Sequence, residues 1–214
     1  IYDVLVRYDA ETGEFEPRLA ESLEPNDDYT EWTLRLRPGV TFTDGTPLDA
    51  AAVQFNLERH KARRSISAGR VALITQFSTP DELTLVMRLD QPWSGFPYLL
   101  ADLPGMIGSP AAIQQLGDEQ FNRTPVGAGP FKVISWEPGD RLVLGKNPDY
   151  WGGEVHLDRL TFLRAGDSAL TYEAVKTGDV DVAILRDPHT IRKANDDGQP
   201  GFVNLRSTGV TITF

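Results

Sequence analysis

The sequence contains no cysteine, and this absence removes several kinds of chemistry at once. Thiolate metal sites, redox pairs and cysteine nucleophiles all need a thiol, so this chain can build none of them. Exported and cytosolic proteins can both lack cysteine, so the absence does not identify the cellular compartment.

Histidine is nearly as scarce. The chain has 3 histidines, His60, His156 and His189, and they are far apart with no H-E-x-x-H spacing. There is also no G-x-S-x-G elbow for a serine nucleophile. We therefore expect no metal site, no cofactor and no enzymatic activity.

Basic residues are outnumbered: Lys+Arg total 21 against 31 for Asp+Glu, which gives a formal net charge of -10. A surface of that sign repels phosphate backbones and anionic lipids, so we expect neither nucleic-acid binding nor direct membrane insertion. The length of 214 residues allows one large domain or two small ones.

Gly127 and Gly129 lie close together, a pattern that resembles a phosphate-binding loop. Such a loop presents free amide groups at the start of a helix. Here Pro130 removes one donor, and the following residues have the composition of a strand. We therefore interpret the glycines as a tight backbone crossing that leaves no room for side chains.

Two segments, residues 32–37 and 83–89, alternate apolar and polar side chains, which is typical of half-buried strands. Asp49 is a suitable N-cap for a helix that we expect to run to about Arg64. Further along, Ser109 and Pro110 form a typical helix start. We expect strands over residues 131–136, 141–146, 160–164, 180–185 and 207–214, of which 180–185 is expected to be buried. We expect helices over residues 110–117, over residues 168–177 and after Pro188. In the helix over residues 168–177, Leu170 and Ala174 share one face, and Gly178 is the expected stop. This alternation favours an α/β or mixed α+β fold.

Six phrases, in order along the chain, together resemble one known family. They are LAES at 19–22, WTLRLRPGVTFTDGTPL at 32–48, PDELTL at 80–85, PVGAGPF at 125–131, NPDYWGG at 147–153 and KTGDVD at 176–181. The family is the extracellular solute-binding proteins, family 5, of ABC importers. Two departures are Ala128, where the family usually has Thr, and Ala52, where it usually has an acid.

The resemblance implies the type II architecture of periplasmic binding proteins, in which two hinged lobes close on a ligand. Family members are longer than this chain, so it implies an incomplete lobe with the opposing, ligand-selecting lobe missing. By that pattern, residues 4–109 are the smaller accessory domain. Residues 110–214 are then the middle part of the first ligand-binding lobe.

The resemblance also directs attention to segments near the hinge. On this basis we expect Gly105, Met106 and Ile107 to contact the ligand, with Arg186 and Asp187 after the strand that ends at Leu185. Arg186 could pair with a carboxylate and Asp187 with an ammonium group. A further candidate, for stacking, is Trp93. The alternative is that Arg186 and Asp187 contact no ligand and only form a solvated loop and the start of a helix.

The expected function is capture of a peptide-like or other small solute and its delivery to the permease subunits of an ABC importer. The expected protein is a monomer, periplasmic or held outside the cytoplasm by a lipid anchor. Two alternatives stay open at this point. The same fold serves as the ligand-sensing effector domain of some regulators, and an enzyme could be built on it.

Overall fold

The computed structural model describes residues 1–63 and 66–197. The described strands are β1 (Val6–Tyr8), β2 (Phe15–Pro17), β3 (Ala20–Pro25), β4 (Glu31–Leu36), β5 (Ile74–Asp81), β6 (Thr84–Leu89), β7 (Phe131–Glu137), β8 (Arg141–Lys146) and β9 (Arg159–Leu163). The described helices are α1 (Ala50–Ala62), α2 (Ala68–Val71), α3 (Pro97–Leu100), α4 (Pro110–Arg123), α5 (Ser168–Thr177) and α6 (Pro188–Asp196), with a 3₁₀ turn at Leu103–Gly105. The chain divides into two compact units, Ile1–Phe162 and Leu163–Phe214.

The first unit is built on a four-stranded antiparallel sheet with the strand order β3-β4-β6-β5. The two predicted alternating segments are its central strands, and Leu34 lies opposite Leu85 in their register. The alternate residues on one face are buried: Trp32, Leu34 and Leu36 on β4, and Leu85, Met87 and Leu89 on β6. The period-two pattern therefore predicted both strands and the face that enters the core.

Helix α1 covers this sheet, packing on β5 and β6. Asp49 caps it as predicted, since its Oδ1 accepts a hydrogen bond from the Ala52 amide at 2.7 Å. Val53 and Leu57 are fully buried. The helix ends at Ala62; the predicted end, Arg64, lies outside the described residues.

Helix α4 begins as the sequence predicts, with Ser109 Oγ accepting a hydrogen bond from the Ala112 amide at 3.1 Å. Gly117 breaks the first helical stretch, as the sequence predicts, but it is not the end of α4. Gly117 adopts a φ of 68° and kinks the helix, which then resumes to Arg123. The second half is retained because the Phe121 side chain is buried and the Asp118 carboxylate binds Arg59 Nη2 at 2.9 Å.

The predicted hairpin is confirmed: β7 and β8 pair antiparallel, and Asp140 N donates to Glu137 O at 3.0 Å across the turn. Strand β9 completes a three-stranded sheet on the β8 side. None of the helices in the described ranges has the length and apolar composition that a membrane span requires.

The predicted domain boundary between residues 109 and 110 falls inside the first unit. One core cluster there includes Leu5, Leu100, Ile107 and Ala128, which come from both sides of that boundary. The division into an accessory domain and a lobe stays a prediction.

In the second unit, α5 is capped by Asp167 and ends at Gly178, which has a φ of 79° as a left-handed helix stop requires. On α5, Leu170 is exposed and the buried residue is Tyr172. Tyr172 lies against α6, and its hydroxyl donates to Asp197 Oδ2 at 2.8 Å. The ring also has the ammonium groups of Lys176 and Lys193 each 5.5 Å from its centroid.

Residues 180–185 were predicted to form a buried strand, and the structure contradicts this. The segment is irregular, with Val182 85% exposed and Ile184 68% exposed. A run of β-branched residues becomes a strand only when a neighbouring strand accepts its backbone hydrogen bonds. No strand is described over residues 164–197 that could be such a neighbour. The predicted strand at 207–214 lies outside the described residues.

Candidate ligand-binding site

The candidate site centres on residues 103–109, here called the 103–109 segment. The N-terminal residues run alongside it: the Leu5 amide donates to the Gly105 carbonyl at 3.1 Å, and Val4 forms an antiparallel bridge with Met106. The segment is therefore attached to its neighbour by backbone hydrogen bonds, although it is not part of a regular sheet.

The other end of the segment is attached to the predicted glycine crossing. Gly108 forms an antiparallel bridge with Gly127, and the Ser109 amide donates to the Val126 carbonyl at 2.9 Å. Ser109 Oγ in turn donates to Asp44 Oδ2 at 2.5 Å. Burial of Asp44 opposes ionisation, but the hydrogen bonds from Ser109 and Thr46 outweigh it and lower the pKa of the carboxyl. These contacts hold the start of α4 in place.

Asn56 supplies the side-chain support for the segment. Its Nδ2 donates to the Gly108 carbonyl at 2.8 Å, and its Oδ1 accepts from the Gly108 amide at 3.1 Å. Nδ2 also donates to the Ala52 carbonyl at 2.8 Å, so the nitrogen of this buried amide donates two hydrogen bonds and its oxygen accepts one. Helix α1 thereby fixes the backbone of the 103–109 segment from within the core.

Gly105 has no room for a side chain. A Cβ placed on it would lie 1.7 Å from the Leu100 carbonyl oxygen, far inside van der Waals contact. Gly105 is buried, and its next neighbour along the chain is the exposed Met106. The glycine thus lets the segment pass close to α3 and emerge at the surface.

The three consecutive candidates differ in what they can offer a ligand. The Met106 side chain is 38% exposed and could make an adaptable apolar contact. Ile107 is fully buried in the core, and Gly105 has no side chain. Only Met106 therefore presents a side chain to solvent, and the other two could contribute only backbone groups.

The interpretation of the glycine crossing is confirmed. A Cβ on Gly127 would lie 2.6 Å from the Ile1 carbonyl oxygen, and one on Gly129 would lie 2.5 Å from the same atom. The Gly129 amide donates to that carbonyl at 2.8 Å, while the Gly129 carbonyl accepts from Asn147 Nδ2 at 3.0 Å. Both glycines are required by close packing of main chains.

Trp93 lies in the same unit and is half-buried. Its ring meets Phe96 edge-on, with 5.6 Å between ring centroids, and its amide donates to the Tyr29 carbonyl at 3.0 Å. These contacts show how Trp93 is held in the fold. Its assignment as a ligand-stacking surface stays a prediction.

Arg186 and Asp187 lie in the second unit and are held by Ser168. The Ser168 hydroxyl oxygen accepts hydrogen bonds from the Arg186 amide at 3.3 Å and the Asp187 amide at 3.2 Å. Asp187 also caps α6, since its Oδ2 accepts from Thr190 N and Thr190 Oγ1, each at 2.8 Å. The hydrogen bonds from Thr190 lower the pKa of the Asp187 carboxyl. Asp187 is therefore the N-cap of α6, and one of its two carboxylate oxygens already accepts hydrogen bonds from Thr190.

A metal centre finds no support in the described part of the chain. In residues 1–63 and 66–197, no group of three histidine, aspartate or glutamate side chains converges as a metal site requires.

A family model, that of the bacterial extracellular solute-binding proteins, family 5 Middle, matches residues 14–214. The chain belongs to this family. Its membership confirms the expected fold class and a location outside the cytoplasm. The family and its relatives are transport solute-binding proteins and not enzymes.

Individual relatives of this family 5 chain agree. It is 33% identical to the probable D,D-dipeptide-binding periplasmic protein DdpA of Escherichia coli K12, over 85% of this chain and 37% of that protein. The structure of a nickel ABC transporter from Bacillus halodurans matches with a TM-score of 0.80 and 31% identity, over 91% of this chain and 39% of the other. The Helicobacter pylori periplasmic binding protein DppA, in complex with the peptide STSA, matches with a TM-score of 0.77 and 29% identity, over 94% and 43%. The chain thus spans well under half the length of these relatives.

The sequence did not point to Asn56 or Ser168 as supports of the candidate residues. Asn56 had a detectable signal, because it is a polar residue that helical spacing places on the same side of α1 as Val53 and Leu57, which are buried. Ser168 has the sequence pattern of an ordinary first residue of a helix. Its hydrogen bonds with the amides of residues 186 and 187 depend on tertiary structure, so no local pattern indicates them.

Proposed function

We propose that the full-length protein is the solute-binding component of an ABC importer and that it captures a short peptide or a related small solute between two hinged lobes. The observation that carries the proposal is family membership over almost the whole chain. The named ligands of two relatives, a D,D-dipeptide and the peptide STSA, favour a peptide-like solute. The solute is bound and released unchanged.

Capture rests on a difference in affinity. A ligand shifts the protein towards its closed form only to the extent that it binds that form more tightly than the open one. Closed protein then presents both lobes to the permease subunits. In this proposal residues 4–109 are the accessory domain and residues 110–214 belong to the first lobe, and the protein acts as a monomer anchored outside the cytoplasm.

Within this chain, Met106 supplies an apolar contact, and Gly105 and Ile107 contribute through their backbone. Trp93 offers a stacking face. Arg186 has an exposed guanidinium that could pair with the carboxylate of a peptide, and Asp187 could accept from its ammonium group.

The test begins with the intact protein, purified without refolding and examined by native mass spectrometry for a retained solute. Calorimetric titration with D-alanyl-D-alanine, a tetrapeptide and reduced glutathione then measures affinity directly. Binding of at least one peptide to the wild type supports the proposal. Retention of a sugar or a metal chelate, with no peptide bound, would contradict the peptide class.

Matched variants then locate the site. Arg186→Ala should weaken peptide binding roughly ten-fold, because it removes a charge-assisted hydrogen bond to a carboxylate. Arg192→Ala is the control, since Arg192 is also exposed and lies on α6. Equal affinity in both variants would remove Arg186 from the site. Met106→Ala, which should weaken binding, and Leu116→Ala, which removes a similarly exposed apolar side chain on α4 and should not, form a second matched pair.

A further inference from the structure

A polar cluster, here called the Asp3 cluster, lies next to the candidate site. Asp3 Oδ2 accepts hydrogen bonds from Arg18 Nη2 at 3.1 Å and from the Tyr150 hydroxyl at 2.7 Å. Arg18 Nη2 also lies 2.9 Å from the Tyr150 hydroxyl oxygen, which closes a triangle. The other carboxylate oxygen, Oδ1, accepts from the Val4 amide at 2.9 Å. Asp3 is only 9% exposed.

The cluster joins three segments that are distant in sequence. Arg18 precedes β3, and Tyr150 belongs to the loop that follows β8. That loop is also held through Trp151, whose ring centroid is 5.2 Å from Arg18 Cζ and 5.5 Å from Arg37 Cζ. Arg37 Nε in turn donates to the Arg18 carbonyl at 2.6 Å. Arg18 is therefore fixed by partners on two sides.

Asp3 is followed directly by the residue that pairs with the candidate site. Val4 forms the antiparallel bridge with Met106, and on its other side its carbonyl accepts from the Leu19 amide at 3.1 Å. The bridge between Val4 and Met106 is isolated and has no long ladder to define its register. A slip of one residue at such a bridge would turn the Met106 side chain to the opposite face.

We propose that Asp3, Arg18 and Tyr150 are positioning residues that fix the register of Val4 against Met106 and so hold the 103–109 segment in its ligand-accepting geometry. This inference rests on the proposed function, since it assigns the segment to ligand binding. Burying an ion pair gains little net stability over apolar packing. Directional hydrogen bonds from three segments to one carboxylate instead specify a single arrangement.

Hydrogen–deuterium exchange of the full-length, ligand-free protein tests the inference without any choice of ligand. In Asp3→Asn and Tyr150→Phe, amides of residues 103–109 should exchange roughly five- to ten-fold faster, while those of α1 should change less than about two-fold. The control Tyr29→Phe removes a hydroxyl from an exposed tyrosine that lies outside the Asp3 cluster. Unchanged exchange in residues 103–109, or an equal increase throughout the protein, would overturn the proposal.

Two further readouts separate positioning from general stability. The chain has 6 tyrosines, so the titration of Tyr150 is isolated as the difference in tyrosinate absorbance between a protein and the same protein carrying Tyr150→Phe. In the Asp3→Asn background this difference titration should move to lower pH than in the wild type, because a hydrogen bond to the carboxylate is lost; no shift would count against the cluster. Affinity for D-alanyl-D-alanine should fall in both variants if the wild type binds it. If the wild type binds no peptide, the proposed function fails, and exchange in residues 103–109 still decides the positioning role.

Discussion

Asn56 and Gly108 form a reciprocal amide pair, in which the side chain of one residue donates to and accepts from the backbone of the other at 2.8 and 3.1 Å. Both residues are buried, so water cannot replace either bond. Helix α1 and the irregular 103–109 segment are thereby joined by a pair of hydrogen bonds between residues 52 positions apart, one in each direction, as in a hydrogen-bonded pair of antiparallel strands. The candidate site thus depends on a polar contact inside an otherwise apolar core.

The first prediction follows from this pair. Asn56→Ala should lower the free energy of unfolding by about 2–4 kcal/mol, because it leaves the buried amide and carbonyl of Gly108 without partners. Gln54→Ala, which removes only an exposed hydrogen bond to Glu58, should cost less than about 0.5 kcal/mol. Urea unfolding followed by circular dichroism measures both. Equal losses in the two variants would contradict the assigned role.

The second prediction concerns close packing at Gly105. Gly105→Ala should prevent folding or lower stability severely, because its Cβ would overlap the Leu100 carbonyl and the backbone would have to move. Gly69→Ala is the matched control: no atom lies within 4 Å of its added Cβ, and the residue is in helix α2. It should be neutral or slightly stabilising, since alanine favours helix. Thermal unfolding distinguishes the two outcomes.

Sequence patterns predicted the parts of the fold that local chemistry determines. The alternation at residues 32–37 predicts a strand because successive side chains of a strand point to opposite faces. The capping roles of Asp49 and Ser109 depend only on the first turn of the helix that follows each of them. Failures arose where distant contacts decide. Helix α4 resumes after Gly117 because Phe121 is buried and Asp118 binds Arg59, which is distant in sequence, and no strand is described over residues 164–197 with which residues 180–185 could pair.

In the candidate site too, the sequence predicted local features but not contacts between distant residues. A family pattern directed attention to residues 105–107, but only the fold shows that Ile107 is buried and that Met106 alone presents a side chain. Asp3 and Tyr150 meet although 147 positions separate them, and no short-range pattern indicates such a pair. Long-range polar contacts were therefore the part that sequence reasoning could not supply.

The third prediction concerns alkaline pH. Burial, followed by the hydrogen bond to Asp3, raises the pKa of the Tyr150 hydroxyl from 10.0 to about 12, and burial raises that of Tyr2 to about 12. Between these values the folded protein holds protons that the unfolded chain has lost. Stability should therefore fall as the pH rises from 10 through 12, while below 10 this contribution is fully present. Urea midpoints at several alkaline pH values measure the slope.

Tyr150→Phe tests the assignment of that slope. The variant should be less stable below pH 10 by about 1 kcal/mol, the net value of one hydrogen bond, and should lose part of the alkaline decline. Tyr29→Phe should retain the wild-type profile. An alkaline slope that is identical in wild type and Tyr150→Phe would show that other groups cause it.

The last prediction separates the two roles of Asp187. Asp187→Asn retains an acceptor for the Thr190 amide, since asparagine is as good an N-cap as aspartate, so unfolding stability should stay close to that of the wild type. Asp187→Ala removes the acceptor and should be less stable than both. If the carboxylate also binds a ligand ammonium group, both variants should bind D-alanyl-D-alanine roughly ten-fold more weakly in the full-length protein. Weak binding by the alanine variant alone would instead show that Asp187 acts only by shaping α6, because the charge itself would then contribute nothing to the ligand.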